Sequence, residues 1–314
     1  MIYRRIIKFS GILLLFPIVL NTNARADESN LVTALQNTYS ACVGIDAALA
    51  DLKKMAGINT AITGVGTGLG VGATVVGIVK ANKDAAAKEI ANKINYSKQP
   101  INVMPTESEM NAISSEFDSA DLESEFSRLR KQSKSLGNWR TGLLAGNTVT
   151  NVAGAIIAGK NKTDGDLQNQ IDNCKAAIGE LRRARARARI DGTDTGEANA
   201  IISACEGFET VDVSKINDRA KGAMISSAVG AGLGLTGTIT SAVANSDSVR
   251  KDNVDISQKT NADWNKEKNI NTAANILSGT STVASGVATV FNATQISAIK
   301  KVANIASKCT EVLK

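Results

Sequence analysis

The side chains best equipped for chemistry in this chain are four thiols, Cys42, Cys174, Cys205 and Cys309. A thiolate attacks a substrate, ligates a metal or pairs with a second sulfur, and its neighbours decide which. Histidine, the usual proton acceptor for a nucleophile and the commonest metal ligand, is absent from all 314 residues. Triads and zinc sites built on it are therefore excluded.

The other constellations are incomplete. Asp194-Thr195-Gly196 has the aspartic-protease tripeptide but neither apolar flanks nor a second copy with which to share a proton. Asp191, Asp194 and Glu197 offer carboxylates to calcium without the spacing of an EF-hand loop, and a solvated turn accounts for them better. Residues 232–237 read G-x-G-x-x-G, yet no strand precedes them to aim a helix N-terminus at a pyrophosphate. The stretch from Gly154 to Lys160 approaches a phosphate loop, but Asn161 stands where the magnesium-binding hydroxyl belongs. Glu107, Glu109, Glu116 and Asp118 are carboxylates with no nucleophile or base beside them, so a hydrolase has little to recommend it. No catalytic, metal or cofactor site is expected, and with 6 Phe, 2 Trp and 3 Tyr no base-stacking nucleic-acid surface either.

Arg4, Arg5 and Lys8, the apolar run from Ser10 to Leu20, and Ala24 and Ala26 read as a secretory signal cleaved after Ala26. Cleavage removes four of the 36 basic residues and none of the 30 acidic ones, so the mature chain is nearly neutral. A periplasmic or extracellular protein follows, in which four cysteines predict two disulfides.

The elements that place those cysteines repeat. Cys42 and Cys205 each sit in Ser-Ala-Cys-x-Gly; a glycine-rich uncharged segment, a polar stretch with one tryptophan (Trp139 or Trp264), a second uncharged segment and a closing cysteine (Cys174 or Cys309) follow. This order predicts two copies of one unit, 27–190 and 191–314. The uncharged segments are 55–79, 141–159, 222–246 and 269–299, and the mature chain keeps only Pro100 and Pro105, so long helices are expected. Gly64, Gly68 and Gly72, and likewise Gly230 and Gly234, recur every four residues, a spacing that lays a smooth ridge along a helix for close packing.

If each unit is an antiparallel hairpin, the segment midpoints bring Cys42 level with Cys174 and Cys205 level with Cys309. The expected fold is all-α: two tandem hairpins, each stapled by its own disulfide, forming an elongated bundle. In the first unit an acidic helical insertion spans about 97–138, where Met110, Ile113, Phe117, Leu122, Phe126 and Leu129 recur at helical spacing and predict packing on the hairpin. Residues 181–190 carry Arg182, Arg183, Arg185, Arg187 and Arg189, a basic collar suited to an anionic membrane surface or an acidic partner.

Basic residues, Lys80 and Arg140 among them, flank the uncharged segments, which are long enough to span a bilayer. Asn147, Asn151, Asn271, Asn275 and Asn292 lie inside them and argue against stable spans. Residues 64–77 and 228–237 resemble the glycine-zipper segments of bacterial envelope proteins and of some pore-formers. The resulting expectation is an exported, non-enzymatic envelope protein that binds an unidentified protein partner or itself through helical surfaces. The alternative is a membrane-active protein, pore-forming in the extreme, that inserts its glycine-rich hairpins.

Overall fold

A computed structural model describes residues 22–97, 119–163 and 165–313, and every regular element among them is helical. The helices are α1 (Thr22–Cys42), α2 (Ile45–Ser97), α3 (Ser119–Lys160), α4 (Gly165–Ile190), α5 (Gly196–Ala204), α6 (Ser214–Ala244), the single turn α7 (Asp247–Arg250) and α8 (Asn261–Val312). Helices as long as α2, with 53 residues, persist because no proline interrupts them. Breaks fall where glycine takes a left-handed conformation, at Gly44 (φ 93°) after α1 and at Gly192 (φ 75°) after α4. The expected signal lies outside the described residues except for its last five, which open α1. Met110, Ile113, Phe117 and the acidic residues Glu107 to Asp118 also lie outside them, whereas Leu122, Phe126 and Leu129 belong to α3.

Compactness divides the chain into two units, each drawing on both sequence halves. One comprises Met1–Val43, Asn169–Glu209 and Ala306–Lys314; the other comprises Gly44–Gln168 and Thr210–Ile305.

The first unit has an interior of the ordinary aqueous kind. Leu31 and Ala34 of α1, Ile171, Ile178 and Leu181 of α4, Ile201 and Ile202 of α5, and Phe208 are buried together with all four cysteines. The disulfides are Cys42–Cys174 and Cys205–Cys309, with Cα atoms 4.8 and 4.5 Å apart, as the hairpin count predicts. They lie side by side, with the Sγ atoms of Cys42, Cys174 and Cys309 within 4.8 Å of one another. Thr38 Oγ1 donates to the carbonyl of Ala177 (3.3 Å), and Gln170 Nε2 donates to that of Val43 (2.9 Å), which ties α1 to α4 around the first bridge. Spanning 132 and 104 residues, the bridges each contribute about 4–5 kcal/mol in the chain-entropy treatment.

The second unit is a bundle of four long helices, α2, α3, α6 and α8, each antiparallel to its neighbours. Gly66 faces Thr150, Leu69 faces Gly146, and Gly72 faces Leu143, so each step up α2 is a step down α3. Gly230 faces Asn151 and Gly234 faces Thr148 across α6 and α3, while Gly222 faces Phe291 and Gly237 faces Leu277 across α6 and α8. Asn59–Asn292 and Thr74–Ser278 contacts close the ring between α2 and α8. The cysteine pairing agrees with the count along the chain: Cys42 precedes Gly66 by 24 positions, and Cys174 follows Thr150 by 24.

Candidate functional site

The bundle of the second unit is built inside out. Over the middle of α2, from residue 55 to residue 80, the buried positions are Ala56, Asn59, Thr63, Gly66, Gly70, Ala73, Gly77 and Lys80, all small or polar; the large apolar residues it buries, Ile45, Leu49 and Ile94, lie towards its ends. Its exposed positions over the same span include Met55, Ile58, Val65, Val71, Val75 and Ile78. On α3, Asn147 and Asn151 face inward and Val149, Val152 and Ile156 face out. On α6, Ser227, Gly230, Gly234 and Ser241 face inward and Ile225, Val229, Leu235 and Ile239 face out. On α8, Ser278, Ser281, Ser285 and Asn292 are interior, whereas Ile276, Val283, Val287 and Val290 are exposed. Burial in water normally selects the opposite sorting.

The interior groups bond one another across the bundle. Asn59 Nδ2 donates to Asn292 Oδ1 (2.8 Å), Asn147 Nδ2 to Ser281 Oγ (2.9 Å) and Asn151 Nδ2 to Ser285 Oγ (2.7 Å); Ser281 Oγ donates to the carbonyl of Gly230 (2.8 Å). Direct side-chain bonds of this length require closely approaching helices, and glycine permits that approach. A Cβ on Gly70 would stand 2.4 Å from Thr282 Oγ1 and 3.2 Å from its Cα; one on Gly66 would stand 2.5 Å from Thr150 Oγ1. Threonines that point outward keep their hydroxyls satisfied on their own helix, as Thr236 does on the carbonyl of Gly232 and Thr280 on that of Ile276.

The glycine ridge of α2 therefore differs from the expected one. Gly64 and Gly68 have nothing within 4 Å of a built Cβ, and Gly72 meets only Leu143, at 3.5 Å. The packing row is Gly66, Gly70 and Gly77, because the buried positions repeat through 59, 63, 66, 70, 73 and 77 and leave 64 and 68 off that stripe. Gly230 and Gly234 of α6 do pack, against Asn151 Oδ1 (3.0 Å) and Thr148 Oγ1 (2.7 Å).

At one end of the bundle, beyond the uncharged segments, is a buried charge cluster. The Asp84 carboxylate accepts from Lys80 Nζ (2.6 Å), Arg130 Nη1 (3.3 Å) and Asn271 Nδ2 (3.2 Å), and from Ser133 Oγ. Glu267 accepts from Arg130 Nη1 (2.8 Å) and Lys259 Nζ (2.8 Å), while Asp252 takes Arg130 Nε and Arg250 Nε, each at 2.7 Å. Trp264, 5% exposed, roofs the group with Lys259 Nζ 3.6 Å and Arg130 Cζ 5.2 Å from its ring centre. Phe126 meets its edge at 6.5 Å beside Ala87, Ala91 and Leu129, so this part of α3 packs on the hairpin as expected. Burial opposes ionisation of Asp252, but Arg130 and Arg250 outweigh it and hold the carboxyl below its ordinary range. Burial likewise lowers the Lys259 ammonium despite its bond to Glu267.

Arg140, fully buried, stands apart from this pairing: Nε, Nη1 and Nη2 all lack a hydrogen-bond partner. The tryptophans that mark corresponding places in the two sequence halves have opposite fates, Trp139 being 67% exposed.

In the first unit the arginine run lies on the last turns of α4, where Arg182 pairs with Glu209 (2.7 Å) and Arg185 Nη1 donates to Asn199 Oδ1 (3.2 Å). Asp194 caps the backbone of Gly196 (2.9 Å) in an exposed turn. The sequence treated Lys80 and Arg140 only as flanks of uncharged segments; nothing in their spacing pointed to Asp84, Arg130, Arg250 and Glu267 as one cluster. The available signal was that Asp84, Arg250 and Glu267 lie within five residues of the ends of the uncharged segments; Arg130, eleven residues from one, gave none.

No family model, curated protein or solved structure matches this chain.

Proposed function

We propose that the protein is an exported, non-enzymatic membrane protein of the cell envelope, whose glycine-rich four-helix bundle is embedded in a bilayer. The carrying observation is the inverted sorting: valine, isoleucine and leucine outside, asparagine, serine and glycine inside. Lipid supplies what water does not, a favourable environment for that outer face. Of the asparagines that argue against spans in the sequence, Asn147, Asn151, Asn271 and Asn292 are buried and Asn275 is half-buried, and most bond across helices, which spares them a lipid-facing penalty.

Dimensions support the same reading. Helical stretches within Ser29–Asn95, Ala120–Ile190 and Ser214–Ala244 are long and apolar enough to cross a membrane by length and composition. The shortest uncharged segment, 141–159, rises about 28 Å against about 30 Å of hydrocarbon. Trp139 sits exposed just outside it, a position suited to the headgroup region. Two disulfides fit an oxidising compartment, and the signal at residues 1–26 is the proposed route there.

Direct bonds such as Asn59–Asn292 and Asn151–Ser285 close the seam between helices, which favours a sealed bundle over an open pore. The test is flotation of the purified, oxidised mature chain with liposomes, followed by alkaline carbonate washing and a dye-release assay. Wild type is expected to float, resist carbonate and release no dye. Val283→Lys, at a position 66% exposed, is neutral in water but costs about 2.5–3.5 kcal/mol in lipid, so this variant should be extracted. Protein that never floats would return the soluble scaffold reading.

A further inference from the structure

The buried cations at the cluster end of the bundle are not all paired. Lys80, Arg130, Arg140, Arg250 and Lys259 are buried cations, and among the described residues Asp84, Asp252 and Glu267 form their ion pairs. Lys134–Asp247 and Lys251–Asp263 are further pairs at this end, each of one cation with one anion. Four of the five buried cations have an anionic partner within 3.3 Å; the exception is Arg140.

Arginine cannot escape by losing its proton, because its intrinsic affinity for the proton is too high. An enclosed positive group without a counter-charge is strongly destabilising, so such groups are paired or ligated. Among the described residues no carboxylate pairs with Arg140, and its neighbour across Gly77 is an amide. A Cβ on Gly77 would lie 3.3 Å from Arg140 Nε and 2.1 Å from Asn275 Oδ1, so these two atoms are no more than about 5.4 Å apart with only glycine between α3 and α8. A water on the guanidinium would satisfy hydrogen bonds but not the charge.

We propose that Arg140 holds a small inorganic anion of the halide class inside the bundle. The guanidinium has no exposed surface, which excludes a lipid phosphate or an acidic peptide as its partner and selects a compact monoanion. The inference does not depend on a membrane: it follows from the bundle interior, whatever surrounds the outer face.

The experiment uses the oxidised mature chain in zwitterionic detergent, with sodium chloride exchanged for sodium gluconate at constant ionic strength. Chloride should raise the unfolding midpoint saturably and broaden the ³⁵Cl resonance. Both effects should vanish in Arg140→Gln. Asn275→Asp places a carboxylate beside the guanidinium and should fold with a midpoint that no longer responds to chloride, which keeps the idea testable if Arg140→Gln fails to fold. A wild type indifferent to chloride, or broadening that persists in both variants, would overturn the assignment; the latter would place the ion elsewhere on the surface. If the chain floats with no chloride response, the anion site fails and the membrane reading stands. A chloride response in a chain that never floats gives the converse.

Discussion

Gly68 and Gly70, two residues apart and so on opposite faces of α2, offer a sharp test of which face packs. Gly70 lies on the buried stripe, where a Cβ would meet Thr282 Oγ1 at 2.4 Å, its Cβ at 3.1 Å and its Cα at 3.2 Å. The last contact is backbone, so rotation of the threonine cannot relieve it, and Thr282 Oγ1 is already committed to the carbonyl of Ser278 at 2.8 Å. Gly68 has nothing within 4 Å. Alanine at either position gains about 0.5–1 kcal/mol of helix propensity. At Gly68 that gain should stand alone, whereas at Gly70 overpacking subtracts about 1–3 kcal/mol. The variants should therefore differ by about 1–3 kcal/mol, with Gly68→Ala above wild type and Gly70→Ala at or below it. At about 2–4 °C per kcal/mol for a unit of this size, thermal unfolding followed by circular dichroism resolves the difference. A Gly70→Ala protein as stable as Gly68→Ala would refute the packing argument and restore the ridge through Gly64, Gly68 and Gly72.

Acid should open the cluster end of the bundle. The Asp263 carboxyl is held down to about 2 by its bonds from Lys251 and Thr260, and Asp252 is also depressed. A carboxyl whose folded value lies below the unfolded one, about 3.9, contributes stability above that pH and loses it as pH falls through the folded value. In a Trp139→Phe background, Trp264 emission should shift between about pH 4 and 2, and Asp252→Asn should flatten that dependence. A shift confined to neutral pH would contradict the assignment. Reduction should cost the first unit about 4–5 kcal/mol per bridge in the chain-entropy treatment, measured as a drop in denaturation midpoint with faster tryptic cleavage at Arg182 to Arg189. Equal midpoints for the oxidised and reduced forms would count against that contribution.

Much of the architecture was legible before any coordinates. The near-absence of proline and the alanine- and glycine-rich uncharged segments dictate long helices, a local property. Cysteine pairing also agrees with counting, because Cys42 lies 24 positions before Gly66 and Cys174 lies 24 after its partner Thr150, and the breaks at Gly44 and after Lys160 fall on corresponding arms. The packing glycines were half legible. Rows through 64, 68 and 72 and through 66 and 70 have the same spacing, and nothing in one helix alone says which row meets a neighbour. Asn59, Thr63 and Gly77 decide it, being on the buried stripe with Gly66 and Gly70.

The sequence by itself determined helicity, the ends of the uncharged segments and which sulfurs meet, since each depends on residues near one another or on equal counts along two arms. Only the tertiary structure decided the sidedness of the bundle. A stripe of asparagine, serine and glycine on one flank and valine on the other is equally periodic whichever flank faces in, and the water rule chooses the wrong one. It also decided that Arg140 is enclosed without a partner while Arg130 and Arg250 share three carboxylates. Those charges lie on separate elements, so their balance exists only once four helices converge.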